Sequence, residues 1–266
     1  MNNLNILVLF TSISLGMAFV FFFFPGVIAP IPYGVFTFFL AFIITLWVGI
    51  RLGRQRVFAS DEVRSLINTL RIYFLTMSAF FFFDGIAHVG IPALYPVEIL
   101  ASHTHTFSHV FFFVANAILI RIPVAFFSSR LKNPASALVL ILGALAVVWR
   151  VINTDKLIYI FGQNQPPIVI TDKISGLLFL ANNVIALLLP GFYMMYLGIK
   201  SKEREVKVKA FLLGLGMAVF FTVGPVIDIL QSQYTQLLVH ALLALSFFFM
   251  GAAAFYGEKE SDVARI

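Results

Sequence analysis

The stretch RIYFLTMSAFFFFDGIAHVGIPALYPVEILASHTHTFSHVFFFVANAILIR, Arg71 to Arg121, decides the fold. Two long apolar runs flank a centre that carries Asp84 and four of the chain's five histidines, His88, His103, His105 and His109. Each run is long enough to cross a hydrocarbon core of roughly 30 Å as a helix. Ionisable side chains in or near a membrane span are costly, and they mark a functional site by default. The same stretch therefore announces a membrane bundle and the place in it to look for chemistry.

The rest of the chain repeats the pattern. It has 266 residues, 61% hydrophobic and only 11% charged, with a mean hydropathy of +0.98. A soluble domain would be about a quarter charged. Eight apolar spans are expected, near 4–24, 33–53, 67–90, 103–123, 134–153, 174–199, 208–229 and 233–256. The first lacks a signal peptide's basic n-region and cleavage site, and its apolar stretch is too long, so it counts as a helix. The expected fold is a single all-α integral membrane domain over residues 1–266, a polytopic bundle of about eight transmembrane helices. No glycine-rich phosphate loop, dinucleotide fingerprint or G-x-S-x-G motif occurs.

Basic residues set the orientation. Arg51, Arg54, Arg56, Arg64, Arg71, Arg121, Arg130, Lys132, Lys200, Lys202, Arg204, Lys207, Lys209, Lys259 and Arg265 fall on one side, against Arg150, Lys156 and Lys173 on the other. The positive-inside rule makes the crowded side cytoplasmic, and both termini with it. The net charge of +6 therefore reports membrane orientation, not nucleic-acid binding. The expected location is the cell membrane, inner or plasma, with the lipid bilayer as partner and other membrane-protein subunits as further candidates. The absence of cysteine excludes disulfides, thiolate metal sites, iron–sulfur clusters and covalently attached haem.

Counting at 1.5 Å per residue from helix ends places Asp84, His109 and His240 roughly 10 Å below the outer surface, with Arg150, Asn182 and Asn183 in the same layer. Asp228 marks the outer mouth of the seventh span. Asp84 and His88 are spaced i,i+4, as are His105 and His109, and Asn116 follows seven residues after His109, so each set shares a helical face. His103 falls off that face and reads as interfacial. Asp84 and Arg150, opposite in charge, are expected to pair.

Imidazole is the commonest metal ligand, so this layer suggests a bound metal ion or b-type haem, within a larger membrane redox complex in one version. Asp84, His88, His105 and His109 could hold an ion of zinc or copper type through nitrogen and oxygen, or His105, His109 and His240 could bind it with Asp84 or His88 completing the shell. His109 and His240, at equal depth on separate helices, could instead ligate haem iron from both sides. One alternative is a structural membrane protein, or a small-ligand sensor or carrier, whose polar layer is merely hydrogen-bonded. Another is a membrane-embedded zinc hydrolase using activated water. Seven-helix zinc hydrolases of the ceramidase and adiponectin-receptor type are similar in length and residue types. Their H-x-x-x-H pair lies in the last helix, whereas here that helix has only His240 and the pair His105/His109 is in the fourth. Whether the protein is an enzyme stays open at this level.

Two prolines, Pro190 in the sixth span and Pro225 in the seventh, are expected to kink their helices. Gly214-Leu215-Gly216 reads as a close-packing site. The segment LIYIF in the longest outer loop is expected along the interface. The phenylalanine runs are expected to face lipid or fill space.

Overall fold

The computed structural model describes residues 2–23, 30–55, 61–87, 98–153, 158–160, 168–170, 173–229 and 233–257. His88 lies outside them, and at Asp228 and His240 only the backbone is described. The elements are α1 (Asn3–Phe23), α2 (Pro30–Gln55), α3 (Asp61–Gly85), α4 (Glu98–Leu119), α5 (Arg121–Phe127), α6 (Lys132–Ile152), α7 (Lys173–Asn183), α8 (Leu189–Lys200), α9 (Arg204–Ile229) and α10 (Gln233–Phe255). A short antiparallel pair, β1 (Ile158–Ile160) with β2 (Ile168–Ile170), takes up most of the LIYIF segment as strand.

Six helical stretches among the described residues are long and apolar enough to cross a membrane. The described apolar parts of α1 and α10, Asn3–Gly16 and Ala241–Phe255, are shorter. A hydrocarbon solvent demands this architecture, because a helix satisfies its backbone hydrogen bonds within one segment.

Successive helices are neighbours: α2 on α3, α3 on α4, α4 on α6, α6 on α7, α8 on α9, α9 on α10, and α1 against α10 and α2. The bundle is therefore a ring of sequential neighbours. Basic residues collect at one end, with Arg51 and Arg54 closing α2, Arg64 opening α3, Lys132 opening α6 and Arg204 opening α9. Asp84, His105 and Arg150 lie at the other.

Helix irregularities follow from proline. Pro123 cannot donate to the Leu119 carbonyl, and the α4–α5 junction falls at Ile120, bridged by Ile120 N to Asn116 O (3.0 Å) and Val124 N to Ile120 O (3.2 Å). Pro190 likewise has no N–H for the turn before it. The chain accommodates it with a π turn at Val184–Leu188, in which Leu189 N–H reaches back to Val184 O. The sixth span is thus two α-helical halves, α7 and α8, joined by a wide turn.

Two devices hold the helices close. Gly214 faces α8, where an added Cβ would collide with the Gly191 carbonyl and Met195. Gly216 faces α10, where it would meet Met250 and the Ser246 carbonyl, and Ser246 Oγ–H donates to Gly216 O at 2.9 Å. The close-packing expectation for these glycines is met, with each serving a different neighbour. Aromatic rings fill the remaining interior: Phe247 packs on Phe74, Phe81 and Phe220 at centroid distances of 6.4, 5.3 and 5.5 Å. The phenylalanine runs thus divide by position, with Phe81 and Phe247 buried and Phe82 exposed.

α6 shows most clearly how pattern becomes placement. Val139, Gly143, Ala146 and Arg150, spaced four, three and four apart, form its buried stripe, while Leu138, Ile141, Leu145, Val148 and Ile152 point outward. Gly143 receives the Phe113 ring of α4, which brings α6 close enough for Arg150 to reach the polar layer.

Candidate metal centre

The sequence makes the site from the end of α3, the first half of α4, the end of α6 and the start of α7. Asp84, His105 and His109 are all buried, at 5%, 7% and 8% exposure, and their candidate donor atoms lie within 4.8 Å of one another. His103, which follows the buried Ser102 and stands two residues before the buried His105, is exposed. The helical phase read from sequence therefore separates the two kinds of histidine.

Hydrogen-bond partners fix the tautomers. His109 Nδ1 is 2.7 Å from the His105 carbonyl, which only accepts, so Nδ1 carries the proton and the lone pair is on Nε2. His105 Nδ1 is 2.7 Å from Asp84 Oδ1, and a carboxylate accepts, so here too the Nδ1–H donates and Nε2 is the ligating atom. A carboxylate that orients a histidine through Nδ1 is the usual support of a metal-binding imidazole. Ser108 Oγ stands 3.0 Å from Asp84 Oδ1 and 2.7 Å from the His105 carbonyl, so its one hydrogen is shared between two acceptors.

Arg150 is 5% exposed. Its Nε–H donates to Ser175 Oγ at 2.6 Å, and its guanidinium lies over the Phe179 ring, 4.4 Å from the centroid. One terminal nitrogen is 3.4 Å from His109 Nδ1. That nitrogen of His109 already donates to the His105 carbonyl, so this approach is a contact between donors. Asp84 meets His105 and Ser108, and Arg150 meets Ser175 and the face of Phe179.

Aromatic rings enclose His109: His105 at 4.3 Å between centroids, Phe179 at 4.7, Phe80 at 5.6, Phe112 at 6.0 and Phe113 at 6.4 Å. Two turns further along α4, Asn116 donates to Asn182 Oδ1 (3.1 Å) and Asn183 Oδ1 (3.2 Å).

The structure thus brings together Asp84, His105, His109 and Arg150, and places Asn182 and Asn183 in an adjoining polar group. Asp228 and His240 are located only as backbone positions on α9 and α10. Sequence reasoning missed Ser108, Ser175 and Phe179. Ser108 sits three residues after His105, a spacing that could have revealed it; Phe179 looked like any other apolar residue. Compared with known proteins, the chain matches no family model, no curated protein sequence and no solved structure.

Proposed function

We propose that this is a multi-pass membrane protein that binds a metal ion of zinc or copper type through His105 Nε2 and His109 Nε2, with Asp84 orienting His105. The observation that carries the reading is that each buried imidazole turns Nδ1 to an oxygen acceptor 2.7 Å away, which leaves Nε2 as the nitrogen that can ligate. Nitrogen and carboxylate donors suit zinc or copper better than magnesium or calcium. His88 and His240 remain the candidates to complete the shell. Around zinc the donors stand about 3.3 Å apart, so closing the site calls for rotation of the two imidazoles. The rings packed about His109 favour an atom-sized ligand over the flat macrocycle of haem b.

In this reading the bundle has eight spans with both termini in the cytoplasm, the site lies in the extracytoplasmic leaflet of a cell membrane, and the protein serves as a subunit of a larger membrane complex. A second reading, a hydrogen-bonded polar layer in a structural or small-ligand protein, draws on Arg150. With neutral imidazoles, Asp84 and Arg150 already balance each other's charge. Elemental analysis and an absorption spectrum of protein purified without chelator decide between them. One ion per chain, lost in His109→Ala and kept in His103→Ala, supports the metal centre; neither stoichiometric metal nor a Soret band leaves the polar layer.

A further inference from the structure

We propose that Asn116, Asn182 and Asn183 form a separate binding site for a dehydrated sodium ion at the break between α7 and α8. All three side chains are buried, at 0%, 0% and 3% exposure. Asn182 Nδ2–H donates to the Val139 carbonyl at 2.8 Å, which fixes its Oδ1 toward α4. Asn183 Oδ1 approaches the same point. Asn116 fills that point with its nitrogen and leaves its own Oδ1 buried without a hydrogen-bond partner. A buried carbonyl oxygen left in this condition is destabilising, because it has given up water without a replacement. Turning the Asn116 amide would bring its oxygen beside the two that already converge and its nitrogen to the unpartnered position, and a cation held by the three oxygens is what would stabilise that arrangement. Around a hard cation that holds oxygens at about 2.4 Å, neighbouring ligands stand roughly 3.4 Å apart, close to the spacings of 3.1 and 3.2 Å found here.

The helix is irregular at this place. Asn182 and Asn183 close α7, the π turn that follows departs from the regular hydrogen-bond ladder, and Pro190 supplies no N–H to restore it. The three side chains contribute oxygens but no formal charge, which suits a monovalent ion over calcium, whose sites draw on carboxylates.

The test uses the full-length protein in lipid nanodiscs. Wild type should bind one 22Na+ per chain saturably, and its Tm should rise with NaCl but not with choline chloride at equal ionic strength. Asn116→Leu should lose both effects. Asn116→Asp places a charged oxygen in the ring and should lower the Kd for Na+ roughly tenfold. His109→Ala should keep the sodium response, so the outcome is separate from that of the metal centre. Absence of 22Na+ binding, an equal response to choline, or an affinity unchanged in Asn116→Asp overturns the proposal and leaves a structural water as the partner of Asn116. If Asn116→Leu does not fold, wild type against Asn116→Asp still decides.

Discussion

Replacing Asp84 by asparagine removes a charge while keeping the shape. An amide oxygen in the place of Oδ1 can still accept from both His105 Nδ1–H and Ser108 Oγ–H, so the rings need not move. What changes is the attraction between the carboxylate and a divalent ion. With the ion on His105 Nε2, across the ring from the 2.7 Å contact, the separation is roughly 6.5 Å, and that attraction is about 1 kcal/mol in bulk water and about 5 kcal/mol at the effective dielectric of a protein site. Desolvation offsets part of the larger figure, and losses of supporting carboxylates typically cost 10–100-fold in metal affinity, or about 1.4–2.7 kcal/mol. We expect Asp84→Asn to weaken zinc binding by at least tenfold and Ser108→Ala by less. The assay is competition with a chelator of known affinity on purified protein, after circular dichroism has shown both variants folded. A change under threefold in Asp84→Asn would refute the orienting role of the carboxylate, whatever His109→Ala does.

Metal affinity should fall in acid, because a protonated ring has no lone pair to give; chelator competition at successively lower pH, with circular dichroism following the fold, reads this directly, and full occupancy down to the acid limit of folding would exclude histidine ligation. Ser175→Ala removes the acceptor of the Arg150 Nε–H and should lower stability by about 1–3 kcal/mol, measured by denaturant unfolding in detergent; no loss would mean that water replaces the hydroxyl. Single cysteines near Pro30, Gln165 and Gln231 should label from outside and those near Arg54, Lys132 and Lys202 from inside, in a chain with no native cysteine. External labelling at Lys202 would reverse the orientation.

The fold class was legible because lipid leaves few choices: long apolar runs must be helices, and basic residues mark their ends. The i,i+4 spacing of His105 and His109 also placed both rings on the buried face, and phase alone left His103 outside. Two things were hidden. That His105 and Ser108 would bond Asp84 depended on which helix lies beside α3. The form of the break at Pro190 was also hidden: proline announces an irregularity, but whether the helix bends or widens into a π turn depends on the neighbours it packs against. The rings around His109 come from α3, α4 and α7, and no local pattern distinguishes Phe80 or Phe179 from a residue that faces outward.

α6 presents Arg150 to the polar layer on one side and a row of large apolar side chains to the outside on the other, so the partition between the site and the surrounding medium is one helix thick. In a bilayer, acyl chains press on that partition directly. Lipid length and packing thereby enter the binding equilibrium as mechanical variables, with α6 as the element that transmits them. Affinities measured in detergent and in bilayers of different thickness should then diverge, and the size of the divergence would measure how far this single helix yields.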